Sequence, residues 1–130
     1  MAIDAALRRL VRLRAGNRCE YCGFHQDELP LVTFHIEHVI SKQRAGTDDA
    51  SNPCLACHWC NFHKGPNLAT QVDGLLVPLF NPRTQRWDEH FAAQGDLIVG
   101  LTPIGRGTIA LFNMNDDDRI ELRRIASPNN

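Results

Sequence analysis

Between Ala5 and Arg14 the chain places Leu7, Leu10, Val11 and Leu13 at helical intervals and fills most of the remaining positions with arginine. Asp4 stands where an N-cap is needed and Gly16-Asn17 where a helix can be stopped, so the pattern predicts a basic amphipathic helix. From Leu31 to Ile40 the run Leu-Val-Thr-Phe-His-Ile-Glu-His-Val-Ile is rich in β-branched and aromatic residues. Alternation puts Phe34, Ile36 and His38 on one side and His35, Glu37 and Val39 on the other, which predicts a hairpin or bent strand. Residues 42–53, with Gly46, Thr47, Asp48, Asp49, Ser51 and Asn52, have loop chemistry, and a helix is expected to begin at His58 or Trp59.

Beyond Lys64-Gly65-Pro66 the apolar runs are short, at 75–80 and 97–101, with Asn81-Pro82-Arg83 and a short helix around 87–92 between them. Thr102-Pro103 reads as an N-cap followed by proline at the first helical position, leading into Ile104, Ile109, Leu111 and Phe112, although Gly105 and Gly107 oppose a helix. In the last segment Asp116, Asp117 and Asp118 precede Arg119, Arg123 and Arg124, the order a helix dipole favours. Ile120, Leu122 and Ile125 are its candidate packing positions and residues 127–130 a frayed tail. No internal repeat or low-complexity tract interrupts the chain. The elements sum to an α+β fold in one domain of 130 residues.

A chain of this length buries a modest core and benefits from a staple. It opens with no basic segment followed by an apolar stretch, and no run approaches the roughly 18 apolar residues of a membrane span, so a soluble, cytoplasmic protein is expected. A net charge of −1 argues against a polyanion-binding surface spread over the whole molecule. Nucleic-acid contact would have to be local. Arg8, Arg9, Arg12, Arg14 and Arg18 face only Asp4 in the first 18 residues. A solvated helix face accounts for that cluster equally well.

Of five cysteines, four form two C-x-x-C pairs, Cys19/Cys22 and Cys57/Cys60, with 34 residues between them. Four thiolates satisfy a tetrahedral Zn²⁺ and close it to water, so this spacing predicts a structural zinc site. Cys19-Glu20-Tyr21-Cys22-Gly23 supplies one knuckle. Cys54 reads as a small buried apolar residue rather than a fifth ligand.

Between and beside the pairs lie His35-Ile36-Glu37-His38, Asn52 and Asn61. Phosphodiester hydrolysis needs a base for water and a hard-oxygen metal site to carry charge. His38 can be the base, and Glu37 with the amide oxygen of Asn61 can hold Mg²⁺ or Mn²⁺. On a regular strand Glu37 and His38 face opposite sides, so both serve one site only if the strand twists or ends there. His35 is a further candidate ligand or phosphate contact. Trp59 and Trp87 are read as core rather than base-stacking residues, and His58, His63 and His90 as surface.

These positions resemble the HNH endonuclease family, whose ββα-metal (His-Me finger) motif is a hairpin and helix pinched around a catalytic metal, often with the same two C-x-x-C pairs around zinc. The resemblance covers about residues 8–66, leaving 67–130 as a C-terminal extension of short strands and helices packing on that core. It implies Glu37 as acidic metal ligand, His38 as general base, Asn52 bracing the loop and orienting His38, and Asn61 as a second ligand, an H-N-N variant. His38 and Asn52 are fourteen residues apart and Asn52 and Asn61 nine, close to the family's spacing. Glu37 stands where the family usually has Asp. Lys64, and more weakly Arg8 and Arg12, would meet phosphate. Leu79-Phe80-Asn81-Pro82-Arg83 and the stretch 100–106 resemble extensions in a small bacterial subgroup. The implied partner is double-stranded DNA, with a homodimer or protein partner helping to hold it. Two competing readings are a non-catalytic zinc-knuckle nucleic-acid adaptor and a zinc deaminase. The second needs an open zinc position that two full C-x-x-C pairs do not leave.

Overall fold

The computed structural model describes residues 3–126. The expected tail at 127–130 lies outside them. Helix α1 spans Ala5–Arg14, and Asp4 caps it by accepting a hydrogen bond from the backbone N–H of Leu7 at 2.8 Å. Its apolar stripe is narrower than the pattern predicts, because Val11 is fully buried while Leu10 and Leu13 are exposed. Left-handed Gly16 and Asn17 turn the chain out of the helix.

The strand expected over Leu31–Ile40 is shorter. Strand β1 covers His35–His38, pairs antiparallel with β2, Pro53–Ala56, and leaves Leu31 almost wholly in solvent. The register sets His35 opposite Ala56, Glu37 opposite Cys54 and His38 opposite Pro53. Helix α2, His58–Lys64, follows directly, with the thiol of Cys57 at its N-cap. Hairpin and helix form the ββα unit.

Two more hairpins build the extension. Strand β3, Ala69–Val72, pairs with β4, Leu75–Pro78, around Asp73-Gly74, both with positive φ as a tight hairpin turn demands. A short helix α3, Trp87–His90, leads into β5, Phe91–Gln94, which pairs with β6, Leu97–Gly100. Helix α4, Pro103–Phe112, starts as the sequence predicts, with the Thr102 hydroxyl accepting from the N–H of Gly105 at 3.1 Å. Gly105 is there for space, since a Cβ on it would stand 2.0 Å from the carbonyl oxygen of His90. Helix α5 runs over Asp117–Ala126.

The core joins both halves of the chain. Val11, Tyr21, Phe24, Phe34, Leu55, Phe80, Phe91, Phe112 and Met114 pack in one cluster around the buried cysteines. Trp87 stacks on Phe91 and donates its indole N–H to the carbonyl of Tyr21 at 2.8 Å. His90 is not a plain helix-surface residue: its Nδ1 lies 2.6 Å from the Thr102 hydroxyl and its ring meets Phe80. Ile125 is exposed, and the α5 residue that anchors the helix is Arg119, with no exposed surface.

Candidate metal centre and hydrolytic cleft

The sulfurs of Cys19, Cys22, Cys57 and Cys60 all lie within 4.8 Å of one another and all four residues are buried. Cys22 and Cys57 Sγ are 3.6 Å apart. Four Zn–S bonds of about 2.3 Å in a tetrahedron separate the sulfurs by about 3.8 Å, so the donors fit zinc. Each knuckle turns its second cysteine's backbone N–H to its first sulfur, Cys22 to Cys19 and Cys60 to Cys57, both at 3.5 Å. No disulfide forms.

The extension supplies the site's surroundings. Arg119 donates to the sulfur of Cys60 at 3.0 Å and to the carbonyl of Phe112 at 2.5 Å, and lies over the Trp59 ring. Burial alone would weaken its hold on the proton, but Cys60, Cys22 and Cys57 outweigh that and raise its pKa above the ordinary arginine value. A zinc ion with four thiolates carries a net −2, and a buried guanidinium against it offsets part of that charge. Arg123 lies over Phe24, and Arg83 pairs with Glu20, whose other oxygen accepts from the N–H of Leu55 at 2.8 Å. In the sequence Arg119 and Arg123 read only as the basic end of the last helix and Arg83 as part of a turn, because nothing local marks a charge required by a cluster far along the chain.

The loop between β1 and β2 is closed by Asn52. Its amide oxygen accepts from the N–H of Ile40 at 2.8 Å, and its nitrogen donates to the carbonyls of Ile40 at 2.9 Å and Thr47 at 2.8 Å. Closing this loop brings Asp48 to His38, with Asp48 Oδ1 2.7 Å from Nε2. Lys42 reaches the same oxygen at 3.0 Å. Hydrogen bonds from His38 and then Lys42 hold the Asp48 carboxyl below the usual carboxylate range. A carboxylate on Nε2 favours the tautomer that carries its proton there and leaves Nδ1 as the acceptor. Asp48 was missed in the sequence, where it reads as one more polar loop residue.

His38 and Glu37 diverge. The Glu37 side chain points into the protein, 7% exposed, where Oε1 pairs with Lys64 Nζ at 3.2 Å and Oε2 accepts from the Cys54 thiol at 3.3 Å. Burial pushes its carboxyl pKa up, and Lys64, Tyr21 and Cys54 only partly reverse this. Cys54 is buried as expected, and burial followed by the Glu37 charge raises its pKa well above the ordinary thiol value. Lys64 does not face phosphate: it is 1% exposed and also donates to the carbonyl of Val39 at 2.9 Å. A carboxylate held by an ammonium on the far side of the strand from His38 does not fit a Mg²⁺ or Mn²⁺ ion shared by Glu37 and Asn61 beside that imidazole. Asn61 is half-buried on α2.

On the other side, Arg8 and Arg12 of α1 line one cleft with Ile3, Phe34, His35, Ile36 and His38, a pocket of about 370 Å³. His35, its Nε2 buried without a hydrogen-bond partner, sits with its ring 5.9 Å from that of His58.

The chain therefore presents a hairpin-and-helix unit pinned by four cysteines, with an imidazole held by a carboxylate beside a basic cleft. Residues 19–67, from the first knuckle cysteine to just past α2, match the family model described as HNH endonuclease, and the four clustered cysteines lie within that segment. No curated protein and no solved structure matched the chain.

Proposed function

We propose that the protein is an endonuclease that hydrolyses phosphodiester bonds of DNA, with His38 as general base. The observation that carries this reading is the His38–Asp48 pair at 2.7 Å on the wall of a cleft that also holds Arg8 and Arg12. Asp48 fixes the ring and its tautomer, so that Nδ1 takes a proton from water as its oxygen attacks phosphorus and the bond to the 3′-oxygen breaks. Arg8 and Arg12 hold the phosphate and offset the charge that grows on it. Asn52 keeps the loop closed and thereby keeps Asp48 on His38.

The family implies a catalytic divalent ion, Mg²⁺ or Mn²⁺, which would carry phosphate charge when bound. Since Glu37 is committed to Lys64, its contribution is to fix β1 against α2. One such site cuts one strand, so double-strand cleavage requires a second copy or a second encounter. Four reduced thiols around zinc suit the cytoplasm, and among the described residues no helix is long and apolar enough to cross a membrane.

The test is cleavage of end-labelled duplex DNA, single-stranded DNA and RNA by the zinc-loaded wild type, His38→Ala and Arg8→Ala/Arg12→Ala. Duplex cutting lost with His38 and weakened about tenfold or more without the two arginines is expected, because general-base catalysis contributes about 10²–10⁴ in rate. Binding without any cutting, equal in wild type and His38→Ala, would favour the nucleic-acid adaptor.

A further inference from the structure

Phe62 stands 72% exposed on α2, the helix that buries Cys60 and Lys64, and neither the zinc site nor the hydrolytic reading uses its ring. The larger ring on the same helix is not available to a ligand. Trp59 packs on Phe24, with 5.7 Å between ring centres, and lies under the Arg119 guanidinium. Phe62 is open yet braced. Its ring lies nearly parallel to that of His58 one turn earlier, at 6.5 Å and 21°, and meets His63 edge-on at 5.3 Å and 80°. Both are arrangements that aromatic pairs favour, so the side chain presents one face to solvent in a restrained orientation.

The ring is continuous with the hydrolytic cleft. His58 lies 5.9 Å from His35, and His35 lines the cleft of His38, Arg8 and Arg12. His35, His58 and Phe62 are therefore successive neighbours from the cleft wall to the open surface. Among the described residues that line the cleft are two arginines and no carboxylate. A cationic track that opens onto ring faces matches a nucleic-acid strand, in which each nucleotide brings one phosphate and one flat base. Paired bases inside a duplex have both faces covered by their neighbours in the stack. Only an unpaired base has a face free to lie on Phe62.

We propose that Phe62, backed by His58, is a stacking platform for an unpaired nucleobase beside the phosphate held by Arg8 and Arg12, so that DNA with a single-stranded segment is preferred to uniformly paired duplex. This rests on the reading of the cleft as the place where phosphate binds. Phe62 determines specificity: it touches a base and takes no part in the bond that breaks. Every base has a π face, so the preference is for unpaired structure and not for sequence. Duplex is still held through its phosphates, without the contribution of the ring.

Binding is read in the zinc-loaded full chain carrying His38→Ala, so that no strand is cut and a failure of the hydrolytic assignment leaves the result legible. Fluorescence anisotropy follows one labelled oligonucleotide as a single strand, as a duplex with its complement, and as an abasic strand of the same length. Adding Phe62→Ala is expected to weaken the single strand about five- to hundredfold, the range that alanine substitution of a stacking ring gives. The duplex and the abasic strand should stay within twofold. Phe62→Leu, which keeps apolar bulk without a π face, should fall as far as Phe62→Ala. Phe62→Trp should restore affinity, with its added indole fluorescence quenched by the single strand and not by the abasic one. The side chain is exposed, so the melting temperature should hold in all three. Unchanged binding of every form in Arg8→Ala/Arg12→Ala would overturn the reading of the cleft and the proposal with it. Single-strand affinity within twofold of the parent in Phe62→Ala, or retained in full by Phe62→Leu, would overturn the proposal alone and leave Phe62 to a protein partner.

Discussion

Replacing Arg119 by methionine removes a charge from the zinc surroundings while keeping the bulk of the side chain. The guanidinium makes one charge-assisted bond to Cys60 sulfur and one to the Phe112 carbonyl, both buried. A hydrogen bond to a charged group is worth about 1.5–3 kcal/mol, and the thiolate cluster is left with less compensation for its −2 charge. A loss of about 2 kcal/mol in the metal-bound state follows, equal to about 30-fold in zinc affinity, within the 10–100-fold range typical of groups that support metal ligands. Competition with a chromogenic chelator measures this directly, and thermal unfolding should show a fall on the order of 5–10 °C. Arg119→Lys, which keeps charge but not the fork, should fall between. Zinc affinity within twofold of wild type in Arg119→Met, alongside a lowered melting temperature, would refute the electrostatic reasoning and leave Arg119 a packing residue.

Asn52→Ala removes three hydrogen bonds of the β1–β2 loop and should cost about 2–4 kcal/mol in urea unfolding, with cleavage lost at temperatures where the fold survives. Asp48→Asn should lower cleavage about 10–100-fold with little change in DNA affinity, because it loosens the ring without removing the base. His38 and Lys42 depress the Asp48 pKa, so the stability they share is complete above the ordinary aspartate value of about 4 and is lost as pH falls through the depressed one. Asp48→Asn should therefore lower the melting temperature at pH 6 and flatten its dependence below about pH 4. Gly105→Ala should destabilise by more than about 2 kcal/mol, because its methyl meets the His90 carbonyl.

Much of the frame was legible because it depends on local chemistry. Asp4 at the start of α1, Thr102-Pro103 at the start of α4 and the cysteine pairs each carry their own signal in a few residues. The expected strand over 31–40 shrank to four residues because β2 offers only four partners. Strands β3 and β5 were not foreseen: Ala-Thr-Gln-Val and Phe-Ala-Ala-Gln are weak strand sequences, and pairing across tight turns decides them. The Asp73-Gly74 turn was a signal present in the sequence and passed over.

The site divides the same way. Residue types and spacing pointed to His38, Asn52 and the four cysteines, and alternation warned that Glu37 and His38 diverge. What Glu37 meets on its own side, buried Lys64, depends on how α2 crosses the hairpin. Lys64 was expected at a phosphate because the family resemblance sets a lysine there at the helix end, where it can meet a phosphate as a point charge. Asp48 and Arg119 gain their partners only after the loop closes and the last helix docks, contacts that no pattern along the chain encodes.

The most direct measurement is relaxation of supercoiled plasmid by zinc-loaded wild type, His38→Ala, and His38→Ala supplied with free imidazole, each with and without added divalent metal. The account predicts nicked circles from the wild type, none from His38→Ala, and partial return of nicking with imidazole as the missing base is replaced. Equal nicking by wild type and His38→Ala would contradict it.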